Sequence, residues 1–187
     1  PGPFDKGIYG KALRKKIWDL KTVNIRDFTE DKHKTVDDTP YGGGSGMVMR
    51  ADVIANSLDN NLANNEKVYY LSPRGKLLNQ DKAKKISKEK SLNVLCGHFE
   101  GVDQRVLDNR NIEEISIGDY VISGGETASY IVLDSVLRLL PGVLGNEDST
   151  VDESFENGLL EYPQYTKPQI WQKNKVPEVL LSGDHAK

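Results

Sequence analysis

Along the chain, apolar residues alternate between two rhythms. Short compact runs rich in β-formers, Val68-Tyr69-Tyr70-Leu71 and Leu92-Asn93-Val94-Leu95-Cys96, stop abruptly at Ser72-Pro73-Arg74-Gly75 and Gly97-His98-Phe99-Glu100-Gly101. A third run, Tyr120 to Ser123, breaks into Gly124-Gly125. Such runs bounded by turn residues predict strands. Between them lie stretches of helical period. Ala51 to Leu62 carries Val53, Ile54, Leu58 and Leu62 on one stripe, and Glu126 to Leu140 carries Ile131, Val132, Val136, Leu139 and Leu140 before Pro141-Gly142. Helices are also expected over Gly10 to Leu20 and Asp81 to Lys90, with a short strand at Val23-Asn24-Ile25. Strand and helix signals that alternate in this way predict an α/β domain with a mainly parallel sheet and helices on both faces.

Glycines at strand ends let backbone approach a ligand that side chains would exclude. In an open α/β sheet, ligands sit just beyond the carboxyl ends of the strands. Taken singly, each glycine pair needs only to make a tight turn. Three such ends on one sheet predict a pocket walled by backbone. A fourth glycine-rich stretch, Gly42-Gly43-Gly44-Ser45-Gly46, ends a long polar connection over residues 27–47 and reads as a mobile clamp or lid.

Composition narrows the field. With 187 residues, the chain fits one ordinary domain, or a domain with a short appendix. No apolar run approaches the roughly 18 residues of a membrane span. The lone Cys96 admits no intramolecular disulfide and suits a reducing cytoplasm. Charge is uneven: residues 1–99 have a surplus of six cations, and residues 100–187 a surplus of nine anions. Basic clusters at Lys11-Arg14-Lys15-Lys16-Lys21 and Lys82-Lys84-Lys85-Lys88-Lys90 suit either solvated helix faces or a phosphate backbone.

Several chemistries drop out. The loop at 42–46 lacks the Gly-Lys-Ser/Thr of a phosphate-binding loop and the third glycine of a dinucleotide fingerprint. One Cys and three separated histidines give no zinc spacing, and no metal site is expected. No serine sits in a nucleophile elbow. What remains are charged residues in loops: Glu100, Asp103, Asp119, Glu126, Arg138, Asp152 and Glu153.

The strings DKHKTVDDTPYGGGSGM, YLSPRG, LCGHFEGVDQRV, SIGDYVISGGE, PGVLGNE and LLEYPQYTKP occur in that order. Together they resemble the bacterial tRNA (guanine-N1)-methyltransferases, the TrmD family of the SPOUT superfamily, over essentially the whole chain. The resemblance implies an α/β domain with a deep trefoil knot, which ordinary topology rules disfavour. It also implies S-adenosylmethionine as cofactor, tRNA as substrate, and a homodimer whose active sites are shared between subunits.

By position, Leu71, Ser72 and Pro73 resemble the first cofactor loop, and Gly97, Glu100 and Gly101 the second. Ile117, Gly118, Asp119, Tyr120, Val121, Ile122, Gly124 and Gly125 resemble the third. Arg138 matches the catalytic arginine. Where the family has its general base, an Asp before Ser-Phe, this chain has Glu153, with Asp152 one residue earlier, and either carboxylate suits the role. Ser45 stands where many members have Pro, and Phe99 where many have Tyr.

The resemblance further implies a first strand before Pro1. It divides the chain into a methyltransferase domain over 1–157 and, over 158–187, a linker opening a C-terminal tRNA-binding domain. The expected activity is methylation of guanine N1 at the position 3′ of the anticodon. The alternative is a catalytically silent cofactor-binding dimerisation module.

Overall fold

The computed structural model describes residues 2–63, 66–145, 154–155 and 160–183. The chain divides into two compact units, Pro1–Glu147 and Asp148–Lys187. The first is built on a three-stranded parallel sheet. Strand β3 (Val68–Leu77) lies between β4 (Asn93–Leu95) and β5 (Ile112–Ser116). A two-stranded antiparallel ladder, β1 (Asp37–Asp38) with β2 (Val48–Met49), closes the long polar connection.

Strand alternation divides the core between two faces. Tyr69, Leu71 and Ile115 point to one side, against Ala83 and Ile86 of α3 (Gln80–Ile86) and Ala128, Val132 and Val136 of α5 (Gly125–Leu137). Val68, Tyr70 and Leu95 point to the other, against Ile54 of α2 (Ala51–Asn61) and Val106 and Leu107 of α4 (Gln104–Asn109). The expectation of a parallel sheet flanked by helices is met. Each fully buried aliphatic side chain here, such as Ile54, Ile115 or Val132, contributes about 1.5–3 kcal/mol. A third cluster gathers Phe4, Ala12 and Trp18 with Leu137 and Val143, seating α1 (Gly7–Arg14) on the C-terminal half of α5.

Several local expectations are corrected. Tyr120 to Ser123 is not a buried strand: Tyr120 is 52% and Val121 88% exposed. The strand on that side is β5, which ends at Ser116. There the Ser116 hydroxyl receives the Gly118 amide (3.2 Å) and donates to the Gly118 carbonyl (3.1 Å). Gly118 takes φ +150°, and the Tyr120 hydroxyl donates back to the Ile117 carbonyl (3.2 Å). The apolar run is thus folded on its own turn. Nor is Val23 to Ile25 a strand. Asn24 accepts the Arg26 amide and starts a 3-10 turn over Ile25–Phe28. The first helix stops at Arg14, because Lys16 adopts φ +57°. The helix expected over Asp81 to Lys90 is shorter, begun by the Asn79 side chain accepting the Lys82 amide (2.9 Å).

The second unit contains a small antiparallel hairpin, β6 (Ile170–Trp171) with β7 (Asn174–Lys175), and a 3-10 turn over Glu178–Leu181. Among the described residues, no helix is long and apolar enough to cross a membrane.

Candidate active site

The second and third predicted loops leave the carboxyl ends of β4 and β5. The first is an interruption within β3. Leu71 and Lys76 both register on Ile115, so Ser72-Pro73-Arg74-Gly75 bulges out of the ladder between them. Proline, which has no amide hydrogen, suits a position outside the ladder. The Ser72 hydroxyl accepts the Arg74 amide (3.2 Å). Arg74 in turn donates to Gln104 Oε1 (2.8 Å) and Glu114 Oε1 (3.3 Å), tying this loop to α4 and β5.

The second loop turns sharply, with Phe99 at φ +58° and Gly101 at φ +121°. It is sewn to the glycine-rich connection. The Glu100 amide donates to the Met47 carbonyl (2.9 Å), the Met49 amide to the Gly101 carbonyl (2.8 Å), and the Asp103 amide to the Met49 carbonyl (3.1 Å). A methyl group on Gly46 would collide with the Glu100 side chain, so the glycine stretch ends against Glu100 itself. Asp103 then caps α4, accepting the Arg105 amide (2.9 Å); its bond to the Arg105 guanidinium lowers its carboxyl below the ordinary value.

The third loop crosses the end of the sheet, from β5 on one side of β3 to β4 on the other. There the Gly125 amide donates to the Gly97 carbonyl (2.9 Å), and Gly124 bridges His98. His98 Nε2 lies 2.7 Å from Glu126 Oε1. Leu71–Pro73, Gly97–Gly101 and Ile117–Gly125 therefore meet at one end of one sheet. Exposed Tyr120, Val121 and Ile122 and the solvent-facing Glu100 lie on these same loops.

What fills the glycine positions differs from the expectation. A Cβ at Gly97 would stand 2.7 Å from the Tyr70 ring, and one at Gly125 would stand 2.6 Å from Cys96 Cα. These glycines make room for protein atoms, and the loops are held in contact by that closeness. Tyr70, which sequence reading used only as a strand former, is the strut. Burial raises the pKa of its hydroxyl. Paired glycines facing a buried aromatic were the available signal. Burial also raises the Cys96 thiol, with the nearby Glu126 charge adding to it, which fits its reading as a small core residue.

Arg138 is not in this cluster. It caps the C-terminus of α5, and Gly125 opens the same helix. At about 1.5 Å per residue, the two lie roughly 20 Å apart. The Arg138 neighbourhood is the third core cluster instead. The Tyr9 hydroxyl donates to the Asp134 carbonyl (3.4 Å) there, and the Arg138 charge acts on Tyr9. The base candidates Asp152 and Glu153 lie outside the described residues. Among the described residues, no group of three or more His, Cys, Asp or Glu gathers to hold a metal.

A cavity of about 740 Å³ lies elsewhere, along the outer edge of β4, lined by Phe4, Met49, Leu92, Val94 and Tyr130 among others. It shares His98 and Phe99 with the second loop, and none of residues 71–73 or 117–125.

Known proteins resemble this chain over nearly its whole length. The model of the family described as tRNA (Guanine-1)-methyltransferase TrmD matches residues 2–187. The chain is 70% identical over 187 residues to the tRNA (guanine-N(1)-)-methyltransferase of Pelagibacter ubique, covering 100% of this chain and 82% of that protein. It is 56% identical over 191 residues to that of Wolbachia pipientis subsp. Culex pipiens, at 100% and 82% coverage. It is 54% identical over 185 residues to that of Brucella canis, at 99% and 75% coverage. The chain belongs to the TrmD family of tRNA (guanine-N1)-methyltransferases.

Proposed function

We propose that this protein methylates guanine N1 of tRNA at the position immediately 3′ of the anticodon, in the cytoplasm, with S-adenosylmethionine as methyl donor. The observation that carries the activity is family membership over residues 2–187. The donor supplies an electrophilic methyl group, and the chain's residues divide the remaining work. Leu71, Ser72 and Pro73, Gly97, Glu100 and Gly101, and Ile117 to Gly125 hold it. Backbone of three loops on one sheet, flanked by the exposed apolar side chains of Tyr120, Val121 and Ile122, fits the adenosine of the donor.

Displacement at a sulfonium mainly requires alignment. Guanine N1 must also lose its proton, for which a carboxylate with a reference pKa of about 4 is a weak base. Glu153 or Asp152 takes that proton, and Arg138 offsets the charge that develops on O6. A pre-organised cationic donor makes proton loss easier.

The homodimer has a geometric rationale. Arg138 sits a full helix length from Gly125 in its own chain, so it serves the donor loops of a second subunit. The crossing of residues 117–124 over β3, from β5 to β4, is the passage that a threaded, knotted chain requires. The domain reading belongs to the same proposal. Residues 158–187 lead to a C-terminal tRNA-binding domain.

The test is methyl transfer to tRNA transcripts with guanine or adenine 3′ of the anticodon. Methylation at N1 with guanine alone is the expected result. Donor binding without transfer from the full-length protein favours the silent dimerisation module.

A further inference from the structure

We propose that the basic face of α1 is a docking surface for the tRNA phosphate backbone, placed to deliver the RNA onto Arg138 of the same subunit. The proposal rests on the tRNA-methylating reading above and goes beyond it by naming the surface.

Lys6, Lys11, Arg14, Lys15, Lys16 and Lys21 are all exposed. Among the described residues, none of these six cations has an acid side chain within ion-pair distance; Arg14 instead donates to the Asp5 carbonyl (3.2 Å). The basic cluster around α3 is different. Its Lys82 is paired with Glu113, which also takes Lys67, and Lys67 reaches Glu89. That face is partly neutralised by its own neighbours.

Helix stability does not account for the α1 set. A cation near a helix C-terminus is favoured by the macrodipole, which explains Lys11, Arg14 and the C-cap residue Lys15. Lys6 stands at the N-cap, where a cation opposes the dipole, and Lys21 lies well past the helix end. A cleft of about 630 Å³ runs beside the helix between Arg14, Lys16, Trp18 and Thr22, with Asp19 the one acid on its wall among the described residues. Such a cleft has room for a sugar–phosphate chain.

Position decides between a solvated face and a docking face. The third core cluster seats Tyr9 and Leu13 of α1 on Leu133 and Leu137 of α5, and Arg138 directly follows Leu137. The basic face and Arg138 thus share one end of the molecule. An RNA that places guanine at Arg138 brings its backbone past these lysines, where each neutralised phosphate releases counterions.

The experiment uses the full-length protein, a tRNA transcript with guanine 3′ of the anticodon, and binding measured across a salt series. For K11E/K15E/K16E we expect at least a tenfold loss of tRNA affinity at 0.1 M salt. The slope of log K against log salt should fall by about two to three, at about 0.7–0.9 per lost contact. The KM for tRNA should rise while donor affinity holds. K11Q/K15Q/K16Q should show the same slope change with a smaller affinity loss, and it reads the slope should charge reversal prevent folding. K85E/K88E/K90E on the α3 side should bind nearly as wild type. An unchanged slope in the α1 variants, or an equal loss in the α3 variant, overturns the surface and leaves the methyltransferase reading intact. A wild-type protein that methylates no tRNA overturns both.

Discussion

The two ends of α5 are built from different materials. At Gly125 the helix begins against main chain: its amide bonds the Gly97 carbonyl, and it has no room for a Cβ beside Cys96. At Leu137 it ends among Phe4, Trp18 and Val143, where rings and aliphatic side chains fill the space. Phe4 stacks edge-on to Tyr9 and Trp18, with ring centres 5.1 and 6.2 Å away. A ligand cradle made of backbone leaves little freedom for substitution and fixes its shape through contacts between loops. The other end presents charged side chains on a packed base, which suits a polyanion. In the proposed dimer, one helix therefore links the donor loops of its own subunit to the substrate site of the other.

The contrast predicts that the first end fails by fold and the second by chemistry. Gly125→Val should cost about 3 kcal/mol or more, because overpacking against main chain has nowhere to relax, and should abolish donor binding. Thermal melts with calorimetry on S-adenosylmethionine read both effects. Arg138→Ala should leave the melting temperature and donor affinity near wild type and lower turnover by about 10²–10³-fold. Glu153→Ala should lower turnover by about 10²-fold with donor binding intact, and Asp152→Ala should fall short of that. If Asp152→Ala alone abolishes turnover, the base is Asp152.

Smaller effects test what the glycines accommodate. Tyr70→Phe should cost under about 1.5 kcal/mol, because the ring that fills the space at Gly97 is kept. Gly97→Ala should destabilise the wild type but much less a Tyr70→Leu background, since the ring stands where the methyl group would go. Equal costs in both backgrounds would return Gly97 to the role of lining ligand space. Least of all, Glu126→Gln should change stability by under about 1 kcal/mol, because its pair with His98 is 58% and 43% exposed at the two side chains.

These residues also mark how far sequence patterns reach. Strands β3 and β4 and helices α2 and α5 were readable because β-rich runs and helical stripes were bounded by turn residues. Strand β5 was hidden by Glu113 and Glu114 at its centre. Both charges are met by cations from elsewhere in the fold: Lys67 and Lys82 at Glu113, Arg74 at Glu114. Helix α4 was missed because six residues with only Val106 and Leu107 buried make no stripe. Tyr120 to Ser123 looked like a strand because exposed apolar residues carry the same letters as buried ones. The glycine loops were visible as loops, but the Tyr70 ring among them was not, since it comes from a strand 27 positions before Gly97. The role of Arg138 came from resemblance alone, and its distance from Gly125 followed from counting helical residues.

The central claim is that Arg138 completes the site of the opposite subunit, and subunit mixing tests it most directly. Arg138→Ala and Gly125→Val each inactivate a homodimer by a different route. In a mixed dimer, one site takes intact donor loops from the Arg138→Ala chain and an intact Arg138 from the Gly125→Val chain. Co-expressing the two full-length chains with different tags and purifying the doubly tagged dimer should restore up to about half of wild-type turnover, one site of two. A doubly tagged dimer no more active than either parent would place Arg138 and the donor loops in the same subunit's site and contradict the account.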